Sequence, residues 1–156
     1  MRGKQAKTRE VKPDEIYGSK LVSKFINYIM IGGKKTVAQN IVYKAMEELS
    51  KVTKLGAVES LEKSFENVRP KIELKTRRVG GANYQVPVPV AEDRQESLSM
   101  RWIINASRSA RGKDDSVKSL TRELMNAFNK EGSAYKKKEE VHKMAESNKA
   151  FSHLTW

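Results

Sequence analysis

The 156-residue chain has no cysteine and only two histidines, His142 and His153. Disulfides and thiol chemistry are thereby excluded, and nearly every structural zinc site with them. A chain of this kind fits a reducing, intracellular compartment. No uninterrupted apolar run approaches about 18 residues, so no membrane-spanning helix is expected. No stretch pairs a lysine-rich face with a bulky aromatic one, as membrane-surface helices do. The N-terminus is charged and has no apolar segment of the secretory kind, while Glu10, Asp14 and Glu15 are out of place in an organellar leader. Internal repeats and low-complexity tracts are missing too. Acid is in short supply: 31 Lys and Arg stand against 19 Asp and Glu, a formal net charge of +12. Self-repulsion on that scale is relieved by a polyanion, and nucleic acid is the natural one. The length fits one domain over 1–156 with a substantial core.

The apolar periodicity that is present is helical. Residues 1–12 hold Arg2, Lys4, Lys7, Arg9 and Lys12 against Glu10 alone, which predicts a basic arm, disordered when free. Leu21, Val22, Phe25, Ile26, Ile29 and Met30 then form a helical stripe stopped by Gly32-Gly33. Thr36 and Gln39 have capping-box spacing, and Val37, Ile41, Val42, Ala45, Met46 and Leu49 carry a second helix to about Val52. Val58, Leu61, Phe65 and Val68 mark a third, ended by Arg69-Pro70. A fourth runs from about Asp93 to Arg111 with Leu98, Trp102, Ile103, Ala106 and Ala110 on its apolar side. There Arg94, Arg101, Asn105 and Arg108 fall within roughly 60° of one another, a basic stripe. Asp114 or Asp115 caps a fifth helix carrying Val117, Leu120, Leu124 and Phe128. A sixth, peripheral helix extends from Ser133 to about Ala150, with a tail over 151–156.

Between the third and fourth helices, residues 71–90 alternate with period two. Ile72, Leu74 and Thr76 share one side of a first strand; Tyr84, Val86, Val88 and Val90 share one side of a second; Lys71, Lys75 and Arg77 point the other way. Matching the apolar sides requires a three-residue loop Gly80-Gly81-Ala82, with Val79 opposite Asn83 and Arg78 opposite Tyr84. Pro87 and Pro89 strip donors from one edge of the second strand, so no third strand is expected there. The expected fold is therefore mainly α: a six-helix body with one protruding two-stranded antiparallel hairpin arm that leans on the body at its base. The Gly80-Gly81 tip admits a close backbone approach, Asn83 lies beside it, and Tyr84 is able to stack on a base.

Cationic groups weigh differently against ordinary surface roles. Lys75, Arg77 and Arg78 suit a polyanion groove better than a solvated strand edge. Arg94, Arg101 and Arg108 could pair with Glu59, Glu62 and Glu66 of the third helix, but a line of guanidinium forks favours phosphate. Lys34 and Lys35 start the second helix and can hold a phosphate there. The Gly32-to-Thr36 run is no nucleotide loop, because Tyr28 stands where that motif needs glycine. Within Lys136-Lys137-Lys138, partial compensation by Lys136 with Glu140 and Glu139 with Lys143 is expected. His142 is read as a solvent or phosphate contact, Trp102 as core, and Trp156 as an anchor for the tail, either on the body or on a neighbour. Adjacent acids at 114–115 and 139–140 do not converge, and no nucleophile with a base or metal-ligand set appears, so neither catalysis nor a cofactor is expected. A DNA-architectural protein with β-ribbon arms is the rival reading. It is disfavoured by prolines along the strand and not at the tip, and by the lack of a dimerising face.

The order of these parts resembles the bacterial-type family of small-subunit ribosomal protein S-seven. The resemblance is carried by Lys24-Phe25-Ile26-Asn27 with Gly33-Lys34-Lys35, by Glu66-Asn67-Val68-Arg69-Pro70, by the hairpin from Arg77 to Val88, by Met100-Arg101-Trp102-Ile103, and by Val141 to Glu146 with Asn148 to Phe151. It spans nearly the full chain; Met1 to Gln5 match weakly. What it implies is a protein that binds ribosomal RNA in the head of the small subunit, helps start assembly of that head, and sits among other small-subunit proteins. The tip residues Gly80, Gly81, Asn83 and Tyr84 would lie near the messenger path and the exit site for transfer RNA. The implied RNA-facing set is Arg2, Lys4, Lys7, Arg9, Lys34, Lys35, Lys75, Arg77, Arg78, Arg94, Arg101 and Arg108, extended by Arg111, Lys113, Lys136, Lys137 and Lys143.

Overall fold

The computed structural model describes residues 3, 6 and 9–154. They form six α-helices, one two-stranded hairpin and a closing 3₁₀ segment. α1 (Lys20–Ile29) buries Val22, Phe25 and Ile26 and ends before Gly32 and Gly33, both at positive φ. α2 (Lys35–Thr53) returns directly. Thr36 lies inside this helix and Lys34 takes the N-cap position without a side-chain hydrogen bond, so the expected capping box does not form. α3 (Ala57–Val68) stops just before Arg69-Pro70, where the α region is disfavoured. α4 (Glu92–Ser109), α5 (Ser116–Phe128) and α6 (Gly132–Ser147) follow the hairpin, and the 3₁₀ segment spans Lys149–Leu154.

α5 is the element around which the others pack. It touches α2, α3, α4 and α6, and Val117, Leu120, Leu124 and Ala127 are buried along it. Phe25 and Phe65 meet edge to face at 4.9 Å in the same core, a favoured aromatic geometry. The buried stripe of α4 is Ser99, Met100, Ile103, Ile104 and Ser107. Leu98, Trp102 and Ala106 are half-buried and Ala110 is exposed, so the apolar face expected for this helix is rotated. The small serines allow close helix approach, and their hydroxyls are satisfied by nearby carbonyls of Glu96 and Ile104. Asp115 occupies the N-cap of α5 without a side-chain cap, while Asp114 pairs with Arg122 at 2.7 Å.

Ahead of α1, buried Asp14 accepts the Ile16 and Tyr17 amides at 3.2 and 3.1 Å and the Tyr43 hydroxyl at 2.7 Å. Burial first, then the Asp14 hydrogen bond, pushes the Tyr43 hydroxyl up to about 12. This contact pins the segment after the basic arm to α2.

β1 (Ile72–Val79) and β2 (Ala82–Pro89) pair antiparallel with Ile72 opposite Pro89, Arg77 opposite Tyr84 and Val79 opposite Ala82. The loop is thus Gly80-Gly81 alone, at φ 58° and 90°. Two glycines at positive φ make the turn whose twist matches the strands, and turn geometry overrides the side-chain pattern. The expected three-residue loop and the separation into apolar and cationic faces are both overturned. Lys75 shares its face with Val86, and Arg77 with Tyr84. The Val90 amide donates to the Lys71 carbonyl at 3.0 Å, which makes that pair hydrogen-bonded and places Pro87 and Pro89 in the alternate pairs whose backbone groups face outward. Neither proline removes a ladder bond, and the outer edge lacks donors at both positions.

The hairpin also leans further on the body than at its base. Val86 is fully buried, β1 touches α6, and β2 touches the 3₁₀ segment, where Tyr84 and Phe151 rings lie 5.1 Å apart. The tip residues Gly80, Gly81, Ala82 and Asn83 are exposed.

α6 is docked by a contact from α5. Glu123, buried, accepts the Ala134 amide at 2.9 Å at the start of α6; burial raises its carboxyl above the usual range while these helix amides oppose the rise. A Cβ at Gly132 would stand 2.8 Å from Asn126 Cβ and 3.0 Å from Glu123 Oε1, at a φ of +86°. Gly132→Ala should therefore lower stability by about 2–4 kcal/mol, through strain and the retreat of α6. Gly56→Ala, where the nearest atoms lie at 3.9 Å and φ is negative, should change it by under about 1 kcal/mol. Urea unfolding of the two variants compares them directly; equal losses would mean α6 is not held by this close approach.

Candidate nucleic-acid interface

The basic stripe of α4 is real in space but not uniform. Arg94 to Arg108 spans about 21 Å of helix at 1.5 Å per residue. Arg94 Nε pairs with Glu73 at 2.8 Å, and Lys75 Nζ reaches the same carboxylate at 3.6 Å. The acid that meets the stripe thus comes from β1 and not from α3. Glu73 is the sole acid of residues 71–90, a signal visible in sequence but missed. Two cations against one carboxylate leave a single net positive charge at the hairpin base. Arg101 lies 5.4 Å from the Tyr28 ring, and Arg108 donates to the Ile29 carbonyl at 3.0 Å. Lys24 with Glu96, at 3.1 Å, draws α1 and α4 together between them. Among the described residues Arg101, Arg108 and Arg111 have no carboxylate at ion-pairing distance. Their charge is uncompensated.

The same edge continues into the turn between α1 and α2. Lys34 donates its amide to the Ile31 carbonyl, and Lys34 and Lys35 are exposed at an uncapped helix start. Lys35 also lines a groove of about 530 Å³ of mixed charge, with Arg9 and Lys12 beside Glu10, Asp14 and Glu15, so the end of the N-terminal arm lies next to this turn. Arg2, Lys4 and Lys7 lie outside the described residues, as does Trp156. Arg111 donates to the Asp114 carbonyl at 3.3 Å, and Lys113 is exposed in the following turn. Lys137 faces Trp102, Asn105 and Ser109 across a groove of about 550 Å³ between α4 and α6. Trp102 is thus half-buried, packed against the core on one side and forming a groove wall on the other.

Other expected contacts are placed elsewhere. Arg78 and Asn83 are exposed at the tip, whereas Arg77 and Tyr84 are half-buried, and the Tyr84 ring packs at a 57° tilt against Phe151. Lys136 and Lys143 are exposed on α6, and their expected pairs with Glu140 and Glu139 do not form. Lys138 turns inward to the Asn67 carbonyl at 2.7 Å, and burial lowers its pKa. His142 is half-buried at a groove, and its Nε2 accepts the Lys71 amide at 3.1 Å, fastening the hairpin base to α6. The described residues contain no group of acids and histidines able to hold a metal ion, and none of their helices is long and apolar enough to cross a membrane.

The sequence profile of the family described as ribosomal protein S7p/S5e matches residues 1–149. The chain belongs to this family. Small ribosomal subunit protein uS7 of Thermosipho africanus is 54% identical over 156 residues, covering all of both chains. The uS7 proteins of Petrotoga mobilis and Maridesulfovibrio salexigens are 49% and 52% identical, the second over 95% of this chain and 94% of its own. The S7p/S5e family consists of ribosomal structural proteins and is not enzymatic.

The His142 contact predicts a specific pH response. Nε2 accepts a hydrogen bond from an amide only when the ring nitrogen carries no proton, as in neutral imidazole. Burial, then the charges of Lys138 and Lys71, hold the imidazole below its ordinary range, while Glu66, Arg69 and Gln95 line the same groove. A depressed folded pKa means stabilisation that is complete above about pH 6.5 and lost as pH falls through the folded value. Thermal unfolding between about pH 7.5 and pH 5 should show a larger loss in the parent protein than in His142→Gln. Parallel pH profiles would remove the neutral imidazole from the hairpin anchor.

Proposed function

We propose that this chain binds small-subunit ribosomal RNA directly in the head of the subunit and helps start assembly of that head on the cytoplasmic ribosome. The whole chain acts as one RNA-binding domain. Family membership supports the reading, and so does one structural observation: among the described residues Arg101, Arg108 and Arg111 meet no carboxylate, on the edge that also carries Lys34 and Lys35. Arginine forks donate two hydrogen bonds to phosphate oxygens and keep their charge at any physiological pH. The N-terminal arm, Lys75, Arg94, Lys113 and Lys137 widen the same surface, and Arg78 extends it along the hairpin. Neighbouring small-subunit proteins meet the faces left free by RNA. A-form RNA does not admit side chains to its major groove, so specificity rests on shape, junction geometry and a few unpaired bases. The exposed tip at Gly80, Gly81 and Asn83 reaches toward the messenger path and exit-site transfer RNA.

Chemical footprinting on small-subunit ribosomal RNA, with duplex DNA as competitor, tests the reading. Protection confined to one multi-helix junction of the head is expected; diffuse protection removed equally well by DNA would sink it. With roughly six to ten phosphates neutralised, affinity should fall by about 10³ to 10⁵ between 50 and 200 mM salt. Arg101→Gln with Arg108→Gln should flatten that dependence by roughly 1.5 in log–log slope.

Tip and body separate experimentally. Replacing Arg78 to Asn83 by a short glycine link spares Val86 and Tyr84, which are packed. Junction binding should persist while transfer-RNA occupancy at the exit site of reconstituted subunits changes. Loss of junction binding in that variant would move the main RNA grip onto the hairpin.

A further inference from the structure

Phosphate contacts leave one feature of this surface unexplained. A recess of about 110 Å³ opens where the end of α1, the turn into α2, and the facing ends of α4 and α5 meet. A water needs on the order of 10–15 Å³ of such space, so the recess admits a much larger group, of the size of one flat ring. Ile29, Ile31, Ile41, Ile104 and Leu120 form most of its wall, Ser107, Ser116 and Ser119 complete the lining, and Arg108 and Arg111 stand beside them. Ile31 is 68% exposed at its mouth, a large aliphatic side chain held in water.

The two arginines say what kind of group fits. Arg108 gives one donor to the Ile29 carbonyl, which fixes the guanidinium over the end of α1 and leaves its other donors unused by protein carboxylates. Arg111 makes only a long bond to the Asp114 carbonyl. An occupant that fits both features has a largely apolar face toward the isoleucines and anionic groups beside it. A paired nucleotide buries its faces by stacking and cannot enter, whereas an unpaired one presents a flat face between two phosphates.

We propose that this recess receives one unpaired nucleobase of the bound RNA, with Arg108 and Arg111 holding the phosphates that flank it. The inference rests on the RNA-binding function above and names a contact within it. Ile31 supplies apolar surface to the base, and the arginines supply charge.

Because the chain has no cysteine, Ile31→Cys creates a single thiol for a benzophenone label. On small-subunit ribosomal RNA the label should crosslink to one unpaired nucleotide, mapped by reverse-transcription stops. Ile31→Ala should weaken binding to that RNA about tenfold with an unchanged salt dependence, since it removes apolar contact alone. Arg111→Gln should instead flatten the salt dependence by roughly 0.7–0.9 in log–log slope. Both side chains are exposed, so both variants should melt with the parent protein. If the parent binds the head RNA but the crosslinks scatter over paired nucleotides, or Ile31→Ala binds as well as the parent, the recess is not a base site and the RNA function stands. Crosslinking in assembled subunits to a neighbouring protein alone would make the occupant a peptide and overturn the proposal. Failure of the parent to bind the RNA specifically would remove the function itself.

Discussion

Helix α5 is surrounded by four other helices, and the polar groups it carries inward must be satisfied by those neighbours. Ser119 donates to the Ser107 carbonyl of α4, Thr121 to Glu48 of α2, and Glu123 accepts the Ala134 amide of α6. From α3, Ser64 donates to the Leu124 carbonyl, and Asn67 donates to the Ala127 and Phe128 carbonyls in the last turn of α5. Apolar burial supplies most of the stabilisation here. Each polar contact, if broken, leaves a buried group unsatisfied at about 1–3 kcal/mol, so together they fix the angles at which the helices meet. The position of every cationic side chain outside follows from that frame.

Charge is organised by the same frame. A chain at +12 repels itself, and most of its acids meet no arginine of the α4 edge. Glu73 is the exception, because it holds Arg94 and Lys75 at the point where the hairpin leaves the body. Local neutralisation secures the arm there and leaves uncompensated charge farther along α4, beside the α1–α2 turn. The body rather than the arm therefore carries the larger cationic surface, and His142 and Phe151 hold the arm in a defined direction.

Local signals in the chain account for much of this. The helical stripes of α1, α3 and α5, the Gly32-Gly33 stop and the Arg69-Pro70 stop are dictated within a few residues, because apolar period and backbone freedom act locally. The hairpin was equally visible at 71–90, but its register was not. Side-chain polarity argued for one pairing and Gly80-Gly81 for another, and the turn prevailed since two left-handed glycines close two strands directly. The arginine stripe of α4 was legible from its spacing. Its partner Glu73 was not, since that carboxylate is 21 residues away in sequence.

Composition and period alone establish a basic, mainly helical chain with a hairpin arm and a line of arginines, because those depend on charge count and on neighbours three or four residues apart. Packing decides which of the cations stay available. Lys138 looks like Lys136 and Lys137 in sequence, yet only Lys138 turns inward to the Asn67 carbonyl. Tyr84 looks like a freely projecting ring, yet it packs at a tilt against Phe151, 67 residues away in sequence. The recess beside Arg108 and Arg111 exists only where four helix ends converge. Local propensity determines which residues can share a face, whereas desolvation across distant segments determines which of them remain open to a ligand.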